Sequence, residues 1–186
     1  MKLIVGMTGG SGSIFTVSLL AALKKKNIET HFVASKMGEI VLKQELDMDL
    51  NEISRLADYV YDANNFCAPI ASGSFKTNGM VVVPCSMRTV AAISNGLSDN
   101  LITRAADVVL KEKKKLTLVV RETPFNSIHL KNMLDLSQMG VTIFPPIPSY
   151  YNRPNNLEEA IVNTTGRILD VIGVNNELTE VWGQKL

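Results

Sequence analysis

Cysteine, histidine and tryptophan are scarce in this chain of 186 residues, at two, two and one. Cys67 and Cys85 stand too far apart for a Cys-x-x-Cys redox or zinc pair. With His31 and His129 as the sole imidazoles, no metal site is expected. The N-terminus runs straight into Lys2-Leu3-Ile4-Val5 without a secretory segment, so a structural disulfide is not expected and both thiols read as small semi-apolar side chains. No apolar run reaches the roughly 18 residues of a membrane span, and the expected compartment is cytoplasmic. An excess of charge is lacking too. Lys plus Arg number 19 and Asp plus Glu 18, leaving +1 and no global field for nucleic acid or an anionic membrane. Internal repeats and low-complexity blocks are absent. What remains, at 46% hydrophobic with 12 Gly and 7 Pro, is the composition of one domain with a substantial core.

Short β-branched runs alternate with amphipathic stretches. Leu3 to Val5, Thr30 to Ala34, Met80 to Val83, Leu116 to Val120 and Val141 to Phe144 read as strands. Met80-Val81-Val82-Val83 is apolar on both faces of a pleat, as suits a parallel sheet covered on each side. The expected fold is a single α/β domain, a Rossmann-like or flavodoxin-like doubly wound parallel sheet. Ile14 to Lys26 reads as a crossover helix that ends in three lysines, where cations suit the dipole. Thr123 is expected to cap a helix with Pro124 at its first position, leaving Arg121-Glu122 at the junction after a strand. Leu157 to Ile172 closes the fold with Gly173 as its stop, so residues 1–174 form the domain and 175–186, with Trp182, form a tail expected to pack at a subunit interface. Residues 62–78 lack periodicity and read either as a functional loop or as a floppy connector. Pro145-Pro146-Ile147-Pro148 directs the chain towards Tyr150-Tyr151 and Arg153.

Gly6-Met7-Thr8-Gly9-Gly10-Ser11-Gly12-Ser13 joins the first strand to a helix, a pattern that offers backbone amides to a phosphate. It is a poor dinucleotide fingerprint. With Gly10 and Gly12 as the first two glycines the third falls on Phe15, and no Gly-Lys-Ser/Thr follows for a triphosphate. A monophosphate fits better, and a tight turn that binds nothing is the alternative. Ser35 ends the second strand and Ser86-Met87-Arg88-Thr89 follows the third, at the sheet edge where ligands of open α/β sheets bind; plain helix capping by Ser86 is the simpler reading.

Arg104, Lys111, Arg121 and Arg167 occur in apolar or helical contexts and mark a possible second anion site. Local ion pairs with Asp107 and Asp170, three residues along the helix, would explain Arg104 and Arg167 equally well, and the Lys111 to Lys115 run by default faces water. Glu45 and Glu122 are the carboxylates of interest: near cations, Glu122 would stay ionised as a base or as an orienting group for Arg. His129 reads as a core or partner contact on a helix.

Several separated motifs carry a resemblance that covers essentially the whole chain. They are Pro84-Cys85-Ser86-Met87-Arg88-Thr89, Asp99-Asn100-Leu101-Ile102-Thr103-Arg104-Ala105-Ala106-Asp107-Val108, Leu110-Lys111-Glu112, Arg121-Glu122-Thr123-Pro124 and Pro145-Pro146-Ile147-Pro148-Ser149-Tyr150-Tyr151-Asn152-Arg153-Pro154. In these the sequence resembles UbiX-type flavin prenyltransferases. The resemblance implies an FMN-binding subunit of a homo-dodecamer with active sites at subunit junctions. It implies a metal-independent reaction in which dimethylallyl monophosphate alkylates reduced FMN at N5 and C6, giving prenylated FMN for UbiD-type decarboxylases. Residue by residue it implies FMN contacts at Gly9, Gly10, Ser11, Ser35, Ser86, Met87, Arg88, Thr89 and Arg121, and prenyl-phosphate contacts at Tyr151 and Arg167. Arg104, Lys111 and Glu122 complete that second pocket, and Glu45 matches an active-site acid. Phe66 stands where some relatives carry Trp, and Arg88 where several carry Lys. A flavin-dependent cysteine decarboxylase and a non-catalytic FMN carrier are the competing readings.

Overall fold

The structure is a computed structural model that describes residues 1–179 and Gly183; Trp182 lies outside the described residues. The chain order is β1 (Lys2–Met7), α1 (Ser13–Lys25), β2 (Glu29–Ala34), α2 (Lys36–Leu46), α3 (Leu50–Ser54), β3 (Tyr59–Asp62), β4 (Gly79–Cys85), α4 (Met87–Ser94), α5 (Leu101–Lys111), β5 (Lys115–Val120), α6 (Ser127–Gln138), β6 (Thr142–Ile143) and α7 (Leu157–Ile172). Single 3₁₀ turns occur at Pro69–Ala71 and Tyr150–Asn152. The strands form one parallel sheet of six in the order β3-β2-β1-β4-β5-β6. That is the Rossmann order, and it reverses direction between β1 and β4.

Strand periodicity divides the core in two. Ile4, Val33, Met80, Val82, Leu116 and Leu118 point to one face and meet α4, α5 and α6. Leu3, Val5, Phe32, Val81, Val83 and Val119 point to the other and meet α1, α2, α3 and α7. β4, at the centre, is buried at every position and carries no polar side chain, because each of its side chains has a helix layer above or below it. α7 stops as expected at Gly173, whose φ of 82° ends the helix in the left-handed region.

Three readings change. β3 is a strand that the sequence pattern leaves unassigned, since four residues on a sheet edge, mostly exposed, show too little alternation to register. The helix after Arg121-Glu122 does not start at Thr123-Pro124. Pro124 sits in a cis peptide, and the helix begins at Ser127, where Asn126 and His129 form a capping box. His129 accordingly caps its helix rather than entering a core. Residues 62–78 are no floppy connector. Ala68 and Ile70 are buried, Ala63 O accepts from Leu101 N–H at 2.7 Å, and Lys114 Nζ donates to Phe75 O at 3.2 Å.

The switch point itself is clipped by Thr8. Its N–H and Oγ1 both donate to Pro84 O, at 3.1 and 2.8 Å, and Oγ1 accepts from Ser86 N–H at 2.8 Å. Thr8 is buried, so an isosteric Thr8→Val leaves the Ser86 N–H without its partner. The expected cost is about 1–3 kcal/mol, read as a lower denaturation midpoint with unchanged slope at fixed protein concentration. An unchanged midpoint would show that the clip carries no stability.

Candidate functional site

α1, α2 and α4 each follow a strand directly, so their N-termini gather at the carboxyl edge of the sheet around the β1/β4 reversal. Each brings unpaired N–H groups and the positive end of a helix dipole. Ser35 Oγ accepts from Gly38 N–H at 3.1 Å and Ser86 Oγ from Thr89 N–H at 3.4 Å, so both hydroxyls cap their own helices and keep a donor for a ligand. Ser86 Oγ also lies 3.2 Å from Thr89 Oγ1.

α1 is capped differently. Glu45 reaches across from α2, its Oε1 and Oε2 each accepting from Gly12 N–H at 3.0 Å and its Oε2 from Ser13 N–H at 2.8 Å. The expectation of an open amide cradle is thereby corrected at these two positions, where a carboxylate already complements the dipole. Partial burial pushes the Glu45 pKa up, but the Ser11 side chain and the Ser13 and Gly12 N–H groups together pull it further down, and it settles below the ordinary range.

Among the described residues the N–H groups of Gly9, Gly10 and Ser11 bond to no protein acceptor. A Cβ on Gly9 would lie 2.6 Å from Met37 Cβ, so only glycine lets this loop pass the first turn of α2. A bare loop with three amides, flanked by the neutral hydroxyls of Ser11, Ser35 and Ser86, suits a phosphate monoester and a polyol chain. Beside it opens a cleft of about 890 Å³ lined by Ser11, Gly12, Glu45, Glu158, Arg121 and the apolar Ile14, Phe15, Leu46, Pro146, Leu157 and Ile161. Its size and mostly hydrocarbon walls suit an aromatic ring system. Arg121 enters the cleft straight after β5, its N–H on Cys85 O at 3.3 Å, and its side chain makes no ion pair among the described residues. Glu122 lies beside it, exposed, with Oε1 accepting from Thr123 N–H at 3.0 Å. These residues fit FMN.

The other candidates lie elsewhere. Met87 packs into the core, so only its backbone can face a ligand at the α4 N-terminus. Arg88 is exposed and ion-paired with Asp99. Arg104 and Lys111 share one side of α5, seven residues apart, about 10 Å along the axis. Arg104 donates from Nε to Ala71 O at 3.1 Å and from NH1 to Asp107 at 2.9 Å, and Lys111 meets Glu112 at 2.5 Å. The Lys111 ammonium holds the Glu112 carboxyl below its usual range. Arg167 projects from α7 and pairs with Asp170 at 2.9 Å. The local ion pairs read as alternatives for both arginines are therefore present. Since α5 and α7 cover opposite faces of the sheet, one chain does not bring Arg104 and Lys111 to Arg167. Tyr151 is half-exposed in the turn before α7, and Phe66 is half-exposed in the segment after β3. Burial pushes the Cys85 thiol pKa far up, which leaves it unreactive.

Sequence reasoning missed the hydrocarbon walls of the cleft. Leu157 and Ile161, one turn apart, belong to the periodic stretch that read only as the helix closing the fold. Among the described residues no helix is long and apolar enough to cross a membrane, and no three potential ligands cluster to hold a metal ion.

Comparison with known proteins follows the same lines. The flavoprotein family model matches residues 1–176. A probable UbiX-like flavin prenyltransferase of Bacillus subtilis is 50% identical over 98% of this chain and 89% of its own length. The flavin prenyltransferase UbiX of Methanocaldococcus jannaschii is 48% identical over 98% of this chain and 99% of its own. Among solved structures, AnUbiX in complex with FMN and dimethylallyl pyrophosphate superposes with a TM-score of 0.96 at 45% identity, covering 98% of this chain and 97% of that one. A dodecameric FMN-dependent UbiX-like decarboxylase from Escherichia coli O157:H7 gives 0.95 at 46%, covering 98% and 99%. The peptidyl-cysteine decarboxylase EpiD, at 18% identity and a TM-score of 0.66, shares the fold.

The Glu45 contact has a pH signature. Its folded-state pKa is depressed, so its contribution is fully present above the ordinary Glu value of about 4.3 and is lost as pH falls through the lowered value. Glu45→Gln should unfold at a lower midpoint than the parent at pH 7, and the two should converge in acid. A gap independent of pH would mean that the charge of Glu45 is not what caps α1.

Proposed function

The chain belongs to the flavoprotein family and, within it, to the UbiX-like flavin prenyltransferases, and from that membership we propose how its residues divide the reaction. It is a flavin prenyltransferase with FMN as cofactor. Reduced FMN supplies N5 and C6 to take up a dimethylallyl group from dimethylallyl monophosphate, with inorganic phosphate leaving. Gly9, Gly10 and Ser11, with Ser35, Ser86, Arg88 and Thr89, hold the flavin from the carboxyl edge of the sheet, Met87 contributing its N–H. Arg121 faces the same cleft as the one cation among its lining residues. Glu45, kept ionised by α1, accepts a proton there, and Glu122 completes the prenyl-phosphate pocket with Arg104 and Lys111.

Arg104, Lys111, Tyr151 and Arg167 grip the prenyl phosphate. Charge grows on that group as the allylic C–O bond breaks, and preorganised cations stabilise the developing anion more than the bound ester. Phe66 offers a ring face to the allyl carbon, where positive charge grows.

The observation that carries this reading is the sheet standing between α5 and α7. If both helices serve one phosphate, they come from different copies, and the pocket is complete only in an oligomer. Exposed Ile128, Leu130, Leu134, Ile147, Tyr150 and Leu157 supply the apolar area such an assembly would cover, and the Escherichia coli relative is dodecameric. We take this chain to be a homo-dodecamer as well, with the 1–174 domain binding FMN, the tail from 175 meeting a neighbour, and prenylated FMN passing to a UbiD-type decarboxylase.

Anaerobic incubation with reduced FMN and dimethylallyl monophosphate should raise the flavin mass by one prenyl unit; an unaltered mass argues against the transferase. Lys111→Ala and Arg167→Ala should each lose about 10²–10³-fold in turnover while still binding FMN, whereas a mere carrier would keep its function. Co-assembled, the two variants should regain part of the turnover, because some junctions then hold both cations. No recovery would place Lys111 and Arg167 in pockets that never meet.

A further inference from the structure

Residues 174–179 do not trail away from α7 but fold back across it. Val174 N–H donates to Leu169 O at 2.9 Å and its side chain is buried. Asn176 Nδ2 then donates to Gly166 O at 3.1 Å and to Asp170 Oδ1 at 2.7 Å, while its Oδ1 accepts from Leu178 N–H at 2.9 Å. This pattern fixes the amide orientation, since a flipped Asn176 would turn its NH₂ against the Leu178 N–H. The strap lies close enough that a Cβ on Gly166 would stand 2.9 Å from Leu178 Cβ and 3.0 Å from Asn176 Oδ1. Gly166 is thus the residue that admits the strap, and it directly precedes Arg167.

The Asp170 carboxylate is consequently held from two sides. Oδ1 takes the Asn176 amide and Oδ2 takes Arg167 NH1 at 2.9 Å. A surface pair three residues apart on a helix is ordinarily loose and worth little. Here the strap holds the acid from its other oxygen, which restricts the positions from which Oδ2 can meet the guanidinium and leaves the remaining guanidinium N–H groups for another acceptor. Among the described residues those groups have no partner.

We propose that Asp170 and Asn176 are positioning residues, through which the strap 174–179 aims Arg167 at the phosphate of the prenyl donor. The inference rests on Arg167 gripping that phosphate, and it adds that the grip is built by the chain beyond α7. Asp170 touches neither flavin nor donor; it acts through Arg167.

The test is calorimetric binding of dimethylallyl monophosphate to the full-length, oxidised, FMN-loaded assembly, in which no turnover occurs. Arg167→Ala should weaken binding most. Asp170→Ala and Asn176→Ala should each weaken it by up to about tenfold, with FMN affinity unchanged. Asp170→Glu should recover part of the loss. Adding Asp170→Ala to Arg167→Ala should cost nothing more, because the acid has then lost the group it orients. Should Arg167→Ala leave binding intact, the phosphate reading falls and takes this proposal with it. Should Arg167→Ala weaken binding while Asp170→Ala and Asn176→Ala do not, or should the losses add in the double variant, the positioning role alone is overturned. Asn176→Ala keeps the ion pair and removes only the clamp, so it decides the matter even where Asp170→Ala assembles poorly.

Discussion

Parallel pairing of β1 with β2 on one side and β4 on the other is the constraint from which the site follows. Right-handed crossovers from a strand at the reversal must leave towards opposite faces, so α1 and α4 diverge and their N-termini bracket an opening that no side chain of the sheet can fill. Thr8 holds the two sides of that opening together through Pro84 and Ser86. Residues proposed to hold the flavin depend on this: Ser11 on the β1 side, Ser86 and Thr89 on the β4 side, Ser35 after β2 and Arg121 after β5. Apart from Ser86 and Thr89 on one helix turn, none is near another in sequence, and each is placed by the strand it follows.

The electrostatics of the opening are set by dipoles more than by formal charges. α1 and α4 have no acid in their first turns, and the carboxylate that compensates α1 comes from the far end of α2. One acid is thereby kept ionised inside a cleft with hydrocarbon walls, where burial alone would favour its protonated form. Arg121 shares the cleft without an ion-pair partner among the described residues. An acceptor and a donor of opposite sign thus coexist without neutralising one another, because the helix terminus holds the acid in place. The cations proposed for the second phosphate are absent from this cleft and stand on α5 and α7, on opposite faces of the sheet, in a protein of nearly zero net charge.

Much of this was legible in the sequence, for identifiable reasons. The doubly apolar run Met80-Val81-Val82-Val83 read as a strand between two layers and is one, and the glycines after Met7 read as a close strand-to-helix connection open to a phosphate, where Gly9 does pass against Met37. One edge strand was not legible: Tyr59–Asp62 has no buried face to enforce a pattern, whereas β6 at the other edge lies within the Val141–Phe144 run that read as a strand. The capping of α1 by Glu45 could not be read either, because it joins residues 33 positions apart through a helix orientation that exists only once α2 packs beside α1. Thr123-Pro124 misled because it matches a helix start locally, while Asn126 with His129 offers the backbone a reciprocal cap three residues later. Motif similarity located Arg104, Lys111 and Arg167 but said nothing of the sheet between them.

The arginines with local acidic partners pose the sharpest question, since a cation already paired might be thought unable to bind an anion. Magnitudes decide it. An exposed pair such as Arg104–Asp107 or Arg167–Asp170 contributes about 0–1 kcal/mol, and in each the acid occupies one guanidinium nitrogen. A phosphate monoester brings close to two charges and several acceptor oxygens, and charge-assisted bonds to it are about twice as strong as neutral ones. The acid is therefore too weak a partner to exclude the phosphate, yet sufficient to remove the rotamer freedom that binding would otherwise have to freeze. On α5 the backbone carbonyl of Ala71 supplies the second restraint, on α7 the strap beyond Gly173 does. Two unrelated segments thus bear on the same problem, each restraining a guanidinium that keeps further N–H groups for an anion, as the proposed phosphate shared between copies of the chain requires.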